Sequence, residues 1–301
     1  MTIIKEMKYY PHILRIYILI NIIVKGMQMT DNTVLSIGSD ITGKYPTEIA
    51  PFAYSENRDI KELYISESVK KIGAHAFYNC RSIYRLTLKN AAVDIGDGAF
   101  KNCERLREIL IYYENGGNLK SLKSILADIH TEVKVHIFYG DGEASLIFPY
   151  GIDNYEENTP ARIITEISEG SGSLYRESIS AGEINYRDYD KTFILGMNVD
   201  LYKAGIRIAV ERLLYPYRLS EQAEIKYKDF VIENICKAVI MLAESGRSCD
   251  IERLTDICIM DKTKLWKITD IMREKGYTDI QSLLLDKYNR LYGREKKKYE
   301  F

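Results

Sequence analysis

A motif of nine residues recurs in this 301-residue chain at a spacing of 23 residues, and it constrains the fold more than any other feature. Residues 72–80 read IGAHAFYNC and residues 95–103 read IGDGAFKNC. Six positions are identical: Ile72/Ile95, Gly73/Gly96, Ala76/Ala99, Phe77/Phe100, Asn79/Asn102 and Cys80/Cys103. A fixed period of this length is typical of repeat proteins, in which each unit packs only on its neighbours.

The same register extends into alternating apolar positions beyond the motif. In three successive units the apolar residues lie two apart: Leu63 and Ile65, Leu86 and Leu88, Ile109 and Ile111. This period of two predicts short strands with one buried face. A single unit cannot bury that face, so we expect the units to stack with their strands in parallel.

The motif itself predicts a tight turn around one aromatic side chain. We expect Phe77 and Phe100 to fill the space between successive coils, with Tyr54 in the same position of an earlier, weaker copy. Cys80 and Cys103 should lie one above the other inside the coil as small apolar residues. A catalytic cysteine is disfavoured because no histidine recurs beside either one.

The pattern I-G-x-x-A-F-x-N-C, followed by leucines at strand spacing, resembles the BspA-like (Treponema pallidum type) leucine-rich repeat. The resemblance covers about residues 34–112. It implies a right-handed solenoid with a sheet on one face that binds proteins or host surfaces and has no chemistry of its own. The chain has only about three clear units and a large unrelated remainder, unlike the long surface members of this family.

Strand parity identifies which side chains of the predicted sheet face outward. They are the candidate partner-binding residues Glu62, Tyr64, Arg85, Thr87, Glu108, Leu110 and Tyr112. For the row Glu62, Arg85, Glu108 the simpler interpretation is a cross-strand charge ladder. Tyr64, Leu110 and Tyr112 are the better candidates for contact with a partner, because exposed aromatic residues often dominate binding.

Beyond the repeat, the sequence predicts an α+β protein with further segments. Residues 29–140 form the leucine-rich-repeat domain with a closing cap, and residues 141–198 form a mixed linker region. Its stretch 141–190 has 3 basic and 11 acidic residues. Residues 199–293 form an α-helical bundle or short α-solenoid, and residues 294–301 form a basic tail. The predicted helices are 199–214, 220–244, 250–259, 262–275 and 278–292, with 235–243 expected at the centre because it is apolar nearly all round.

Residues 1–28 do not match anything that follows them. Lysines precede an apolar run from Ile13 to Val24, which is shorter than the roughly 20 residues needed to span a bilayer. No small-residue cleavage site follows the run. Three interpretations stay open: a spurious extension before a true start at Met27 or Met29, a signal or membrane anchor, and a structural helix.

Composition and motifs favour binding over catalysis. Lys and Arg total 42 and Asp and Glu total 43, so no net charge attracts nucleic acid. The usual nucleotide-binding, hydrolase and zinc-protease motifs are missing from the sequence, and five cysteines without a CxxC pair favour reduced thiols and no metal. We therefore expect a non-enzymatic protein-interaction module without cofactors, located in the cytoplasm, with possible self-association through the helical domain.

Two alternatives remain from the sequence. One is a secreted or surface adhesin or glycan-binding protein, which requires residues 13–24 to act as a signal. The other, less favoured, is an enzyme without a recognisable motif. Stable membrane insertion is not expected unless residues 1–28 form an anchor.

Overall fold

The structure is a computed structural model that describes residues 33–37, 46–89, 93–113, 118–158, 163–180, 182–196 and 202–293. The predictions for residues 1–28 and for the basic tail at 294–301 lie outside these residues. Within them, a β-solenoid of about four turns is followed by a mostly helical region, which confirms the predicted fold class.

Strands on two sides of the coil build the solenoid. In chain order, the strands are β1 (Val34–Ile37), β2 (Glu48–Ile49), β3 (Glu62–Ile65), β4 (Lys71–Ile72), β5 (Arg85–Leu88), β6 (Asp94–Ile95), β7 (Glu108–Tyr112), β8 (Val133–Tyr139) and β9 (Gly142–Phe148). The larger sheet has the order β1-β3-β5-β7-β8-β9, and β2-β4-β6 form a smaller one. All pairs are parallel except β8 with β9. Leu63, Leu86 and Ile109 align directly, so the 23-residue period is the register of the sheet.

The aromatic residue of each repeat stacks inside the coil. The ring centroids of Tyr54 and Phe77 are 5.3 Å apart, and those of Phe77 and Phe100 are also 5.3 Å apart. Phe77 and Phe100 are fully buried. The stack runs parallel to the solenoid axis, because each residue comes from a successive coil, and it fills the space that the short turns leave open.

The backbone of the turns explains the glycines and asparagines of the motif. A Cβ atom on Gly73 would lie 2.4 Å from the Pro51 nitrogen, so only glycine lets the coils approach this closely. Asn79 and Asn102 adopt positive φ angles of 59° and 64°. Asparagine tolerates this left-handed conformation better than most residues. Glu56, one repeat earlier, has a φ of 63°, although glutamate tolerates this conformation less well than asparagine.

We expect Glu56→Asn to stabilise the protein by about 0.5 to 1 kcal/mol, because asparagine occupies a left-handed conformation at lower cost than glutamate. Glu56 is exposed, and no ion pair of its side chain occurs among the described residues, so the substitution removes little else. The measurement is chemical denaturation of the two proteins. Glu67→Asn, also at an exposed position, is the control, and equal effects of both substitutions would contradict the backbone explanation.

The last coil closes with a helix and an antiparallel strand. Helix α1 (Lys120–Asp128) replaces the turn of the earlier repeats, and the side chain of Asp128 accepts a hydrogen bond from the Phe100 backbone N–H at 2.9 Å. Strand β9 then pairs with β8 as a hairpin. The predicted domain boundary at residue 140 therefore falls inside this hairpin, because β9 is apolar on both faces and extends the sheet instead of starting a linker.

The segment after β9 contains more regular structure than the term linker suggests. Its elements are β10 (Ile152–Asn158), β11 (Ile163–Glu169), helix α2 (Gly172–Arg176), β12 (Ile179–Ser180), β13 (Glu183–Ile184) and helix α3 (Tyr186–Gly196). β10 pairs antiparallel with β11, and β12 with β13. Helix α3 packs on the sheet through Tyr189, whose hydroxyl donates to the Ile147 carbonyl at 2.7 Å and accepts from the Ile147 N–H at 3.0 Å.

The helical region follows the predicted segments with one interruption. Its helices are α4 (Tyr202–Leu214), α5 (Glu221–Glu233), α6 (Ile235–Glu244), α7 (Ser248–Ile257), α8 (Lys262–Glu274) and α9 (Thr278–Tyr292). The single helix expected over 220–244 is divided at Asn234, whose side chain donates to the Phe230 carbonyl. Such local side-chain bonds compete with helix geometry. Helix α6 contacts α4, α5, α7 and α8, which places it at the centre of the bundle.

Candidate partner-binding face

The first row of the candidate residues is a closed charge ladder. Arg85 lies between two carboxylates, with its Nη1 3.1 Å from Glu62 Oε2 and its Nε 2.6 Å from Glu108 Oε2. The three side chains are between 24% and 31% exposed. Each pair is partly exposed to solvent and contributes about 0.2 to 1 kcal/mol. The row as a whole, two carboxylates and one guanidinium, carries one net negative charge.

The second row of candidate residues consists of Tyr64, Thr87 and Leu110, and their exposed fraction falls in that order across the sheet. Tyr64 is half-buried, Thr87 is 9% exposed and Leu110 is only 4% exposed. Burial raises the pKa of Tyr64 to about 12, with smaller contributions from Glu67 and Tyr112, so its hydroxyl stays protonated. Leu110 and Thr87 are therefore not the exposed contact residues that strand parity suggested. Leu110 pairs with His136, whose ring meets Tyr215 of the helical region, so that region closes over this part of the row.

Tyr112 is half-buried and already in contact with two neighbours. The Lys89 ammonium lies 3.3 Å from the centre of its ring, and the ring of Phe138 stacks on it at 4.7 Å. Burial lowers the pKa of Lys89, an effect that Glu67 opposes. Tyr112 is therefore a poor platform for stacking a sugar ring, because its own chain already uses the ring.

Tyr84 belongs to this face, although the sequence analysis missed it. It precedes β5, is 37% exposed, donates a hydrogen bond from its hydroxyl to Glu62, and has the Arg85 guanidinium 5.5 Å from its ring. Strand parity could not find Tyr84, because the alternation applies only inside the strand. The sequence feature that could have indicated it is an aromatic residue followed by an arginine, Tyr84–Arg85, next to a turn.

Helices cover the opposite end of the outer face. Glu211 of α4 accepts a hydrogen bond from Ser145 of β9 at 2.6 Å and forms an ion pair with Lys134 of β8 at 3.0 Å. It also pairs with Arg247, which pairs in turn with Asp250. The open part of the face is thus limited to β1, β3, β5 and the near side of β7, and we call it the open face, with Tyr64, Tyr84, Glu62 and Arg85 as its central residues.

The buried Glu211 carboxylate holds the two parts of the protein together as an anion. Its own burial would raise its pKa, but Lys134, Arg247 and the hydrogen bonds from Ser145 and Arg247 outweigh that effect and lower the pKa to about 2. The carboxylate is 3% exposed, so these interactions are weakly screened. The position of the helices at the edge of the open face is therefore fixed by a charged network and not only by apolar contacts.

With this geometry established, comparison with known families identifies the solenoid. Residues 47–125 match the BspA type leucine-rich repeat region, in 6 copies. This segment is similar to BspA-type leucine-rich repeats. The predicted resemblance is confirmed for that segment. No curated protein and no solved structure matches the chain.

The cysteines of the BspA-type repeat fill space inside the coil and also form hydrogen bonds. The Cys80 thiol donates to the Tyr54 carbonyl at 3.0 Å, and the Cys103 thiol donates to the Phe77 carbonyl at 3.3 Å. Each thiol thus satisfies a carbonyl of the preceding coil. Burial raises the pKa of both thiols, that of Cys103 to about 12, so thiolate chemistry is suppressed.

Two features are absent from the described residues, inside and outside the repeat alike: a cluster of metal ligands and a helix that could span a membrane. These residues contain no group of three or more His, Cys, Asp or Glu side chains that could hold a metal ion. Among the same residues, every helix is too short or too polar to cross a bilayer.

Proposed function

We propose that the protein is a non-enzymatic interaction module that binds a partner protein through the open face of its BspA-type repeat. The observation that carries this proposal is the position of two tyrosines on the open face: Tyr64, half-buried on β3, and Tyr84, 37% exposed just before β5, beside the charge ladder. Aromatic residues and arginine on a preordered surface supply binding energy with little loss of conformational entropy.

The chemistry of the face supports binding over catalysis. Its carboxylates are engaged by Arg85, and its tyrosine hydroxyls have raised pKa values, that of Tyr84 to about 12 through burial and then Glu62. The cysteines of the repeat lie inside the coil with raised pKa values. These groups suit recognition of another surface better than proton transfer or nucleophilic attack.

A photo-crosslinking amino acid at residue 64 tests the proposal in cells of the native host. We expect this variant to become covalently attached to a discrete protein, whereas the same amino acid at Ile225, a 53% exposed position on α5, should not. Mass spectrometry of the crosslinked species identifies the partner. Equal labelling from both positions would contradict binding through the open face.

Purified partner then allows a quantitative test by titration. Tyr64→Ser combined with Tyr84→Ser should weaken binding by at least about tenfold, because aromatic residues at the centre of an interface contribute most of its energy. Tyr150→Ser is the matched control, since Tyr150 is 42% exposed but lies outside the sheet. An unchanged affinity of the double variant would show that the partner binds elsewhere.

A further inference from the structure

A cleft separate from the open face lies where the solenoid cap meets the helical region. Its narrow end is a cavity of about 130 Å³, and its wide end is a more open volume of about 590 Å³. The two ends share the lining residues Glu183, Ile184, Tyr186 and Arg218. They therefore form one continuous site with a small chamber and a larger mouth.

Tyrosine rings form the walls of the narrow chamber. Tyr113, Tyr139, Tyr186 and Tyr217 all line it. Tyr139 stacks on Tyr217 with a centroid distance of 4.3 Å, and Tyr186 meets Tyr217 edge to face at 5.6 Å. An apolar cavity of about 150 Å³ accommodates benzene in another protein, and this chamber, at about 130 Å³, is of similar size.

The hydroxyl groups of three of these tyrosines already have partners. The Tyr139 and Tyr186 hydroxyls are 2.8 Å apart and bond to each other, and the Tyr217 hydroxyl donates to Asp141 at 3.0 Å. A sugar would have to bury several hydroxyl groups against these engaged partners, which is costly. The chamber therefore favours an aromatic ring, which needs no hydrogen bonds and gains from edge and face contacts.

Charged residues surround the mouth without neutralising one another. Arg218 lines both ends, Arg187 lines the wide end, and Glu183 lines both ends. All three are exposed, and within the part of the chain that the structure describes none of them forms a salt bridge. Asp141 adds a second carboxylate near the chamber, where it accepts from Tyr217. The mouth can thus receive a ligand that carries both a negative and a positive charge.

The backbone holds Arg218 in place at some energetic cost. Arg218 has a φ of 50°, in the left-handed region that arginine rarely adopts. Its guanidinium lies 5.3 Å from the centre of the Tyr217 ring, and the Tyr217 carbonyl accepts from Arg212 at 3.1 Å, which fixes the loop. Strained positions of this kind occur preferentially at binding sites, where the surrounding structure maintains them.

We propose that this cleft binds a free aromatic α-amino acid, with its ring in the tyrosine chamber, its carboxylate on Arg218 and Arg187, and its ammonium group on Glu183. A planar fork such as the guanidinium of Arg218 matches a carboxylate in geometry and charge. This cleft shares no residue with the open face, so failure of one proposal leaves the other standing.

Titration of the full-length chain with four small molecules, monitored by ligand-observed NMR, tests each part of the assignment. L-Phenylalanine should bind with a Kd of about 1 mM or lower. L-Leucine lacks the ring, 3-phenylpropionate lacks the ammonium group and phenethylamine lacks the carboxylate. Each of these should bind at least about tenfold more weakly, because each leaves one part of the site unoccupied or one charge unpaired.

Two substitutions connect the ligand groups to residues. Arg218→Asn introduces a residue that tolerates positive φ. This variant should bind phenylalanine and 3-phenylpropionate about tenfold more weakly, whereas its affinity for phenethylamine should be unchanged. Glu183→Gln should weaken the binding of phenylalanine and phenethylamine, whereas the affinity for 3-phenylpropionate should be unchanged. The controls are Arg105→Asn and Glu104→Gln, which alter exposed charges on the solenoid. The proposal is overturned if phenylalanine binds no better than leucine, or if both cleft variants retain the wild-type affinity for it.

Discussion

Replacing Phe77 with alanine is expected to lower the free energy of unfolding by about 3 to 5 kcal/mol, as deletion of a buried aromatic side chain from a packed core does. Phe77 is fully buried and lies between Tyr54 and Phe100, with 5.3 Å between centroids on each side. Its loss would leave a cavity in the middle of the stack. Neighbouring backbone cannot collapse into that cavity, because the coils are already held at close contact by Gly73 and Gly96.

Denaturant titration of purified protein measures this effect, and the chain offers a matched control. Phe52 is 59% exposed, so Phe52→Ala should change the free energy of unfolding by no more than about 1 kcal/mol. Phe77→Leu keeps much of the apolar volume, so its loss of free energy of unfolding should lie between those of Phe52→Ala and Phe77→Ala. A loss of less than about 1 kcal/mol for Phe77→Ala would contradict the role of the stack.

The solenoid could be predicted in register because its interactions are local in the repeat. Residues 23 positions apart in sequence become neighbours in the sheet, so Leu63, Leu86 and Ile109 reveal their pairing directly. The same logic places Phe77 above Phe100. The period of 23 residues therefore reveals both the alignment of the strands and the side chains that fill the coil.

The exposure of the outer face could not be predicted in the same way. Thr87 and Leu110 occupy outward positions but are buried, and Leu110 lies beside His136, whose ring contacts Tyr215 of the helical region, far later in the chain. No periodic signal links these segments. Strand parity predicted accessible side chains at both positions, and this was wrong, because parity is a property of one strand and burial is a property of the whole fold.

The tyrosine cleft was also invisible in the sequence. Its residues come from the end of β7, the β8–β9 turn, the β12–β13 hairpin, α3 and the loop before α5. Residues 141–198 were predicted to be a mixed linker region, and this hid the contribution of Asp141, Glu183 and Tyr186. Only the docking of the helices onto the cap brings Tyr217 and Arg218 to the other wall.

That docking depends on Glu211, and Glu211→Ala is expected to destabilise the protein by about 3 to 5 kcal/mol, because it removes a buried carboxylate and leaves two partly buried cations without their counter-charge. Lys134 loses its ion pair at 3.0 Å, Ser145 loses its acceptor, and Arg247 retains only Asp250. Glu224→Ala is the control. Glu224 pairs with Lys228 on the surface of α5, where its side chain is 39% exposed, so its removal should cost less than about 0.5 kcal/mol.

The same carboxylate predicts how stability depends on pH. Its pKa falls from 4.5 to about 2 on folding, so the folded state favours the ionised form. The corresponding stabilisation, about 3 kcal/mol, is complete above the unfolded pKa and is lost as the pH falls from about 5 towards 2. Denaturation curves at pH 7 and pH 3 should therefore differ less for Glu211→Ala than for the wild type, whereas Glu224→Ala should retain the wild-type difference. An equal pH effect in all three proteins would mean that Glu211 does not ionise at the junction between the sheet and the helices.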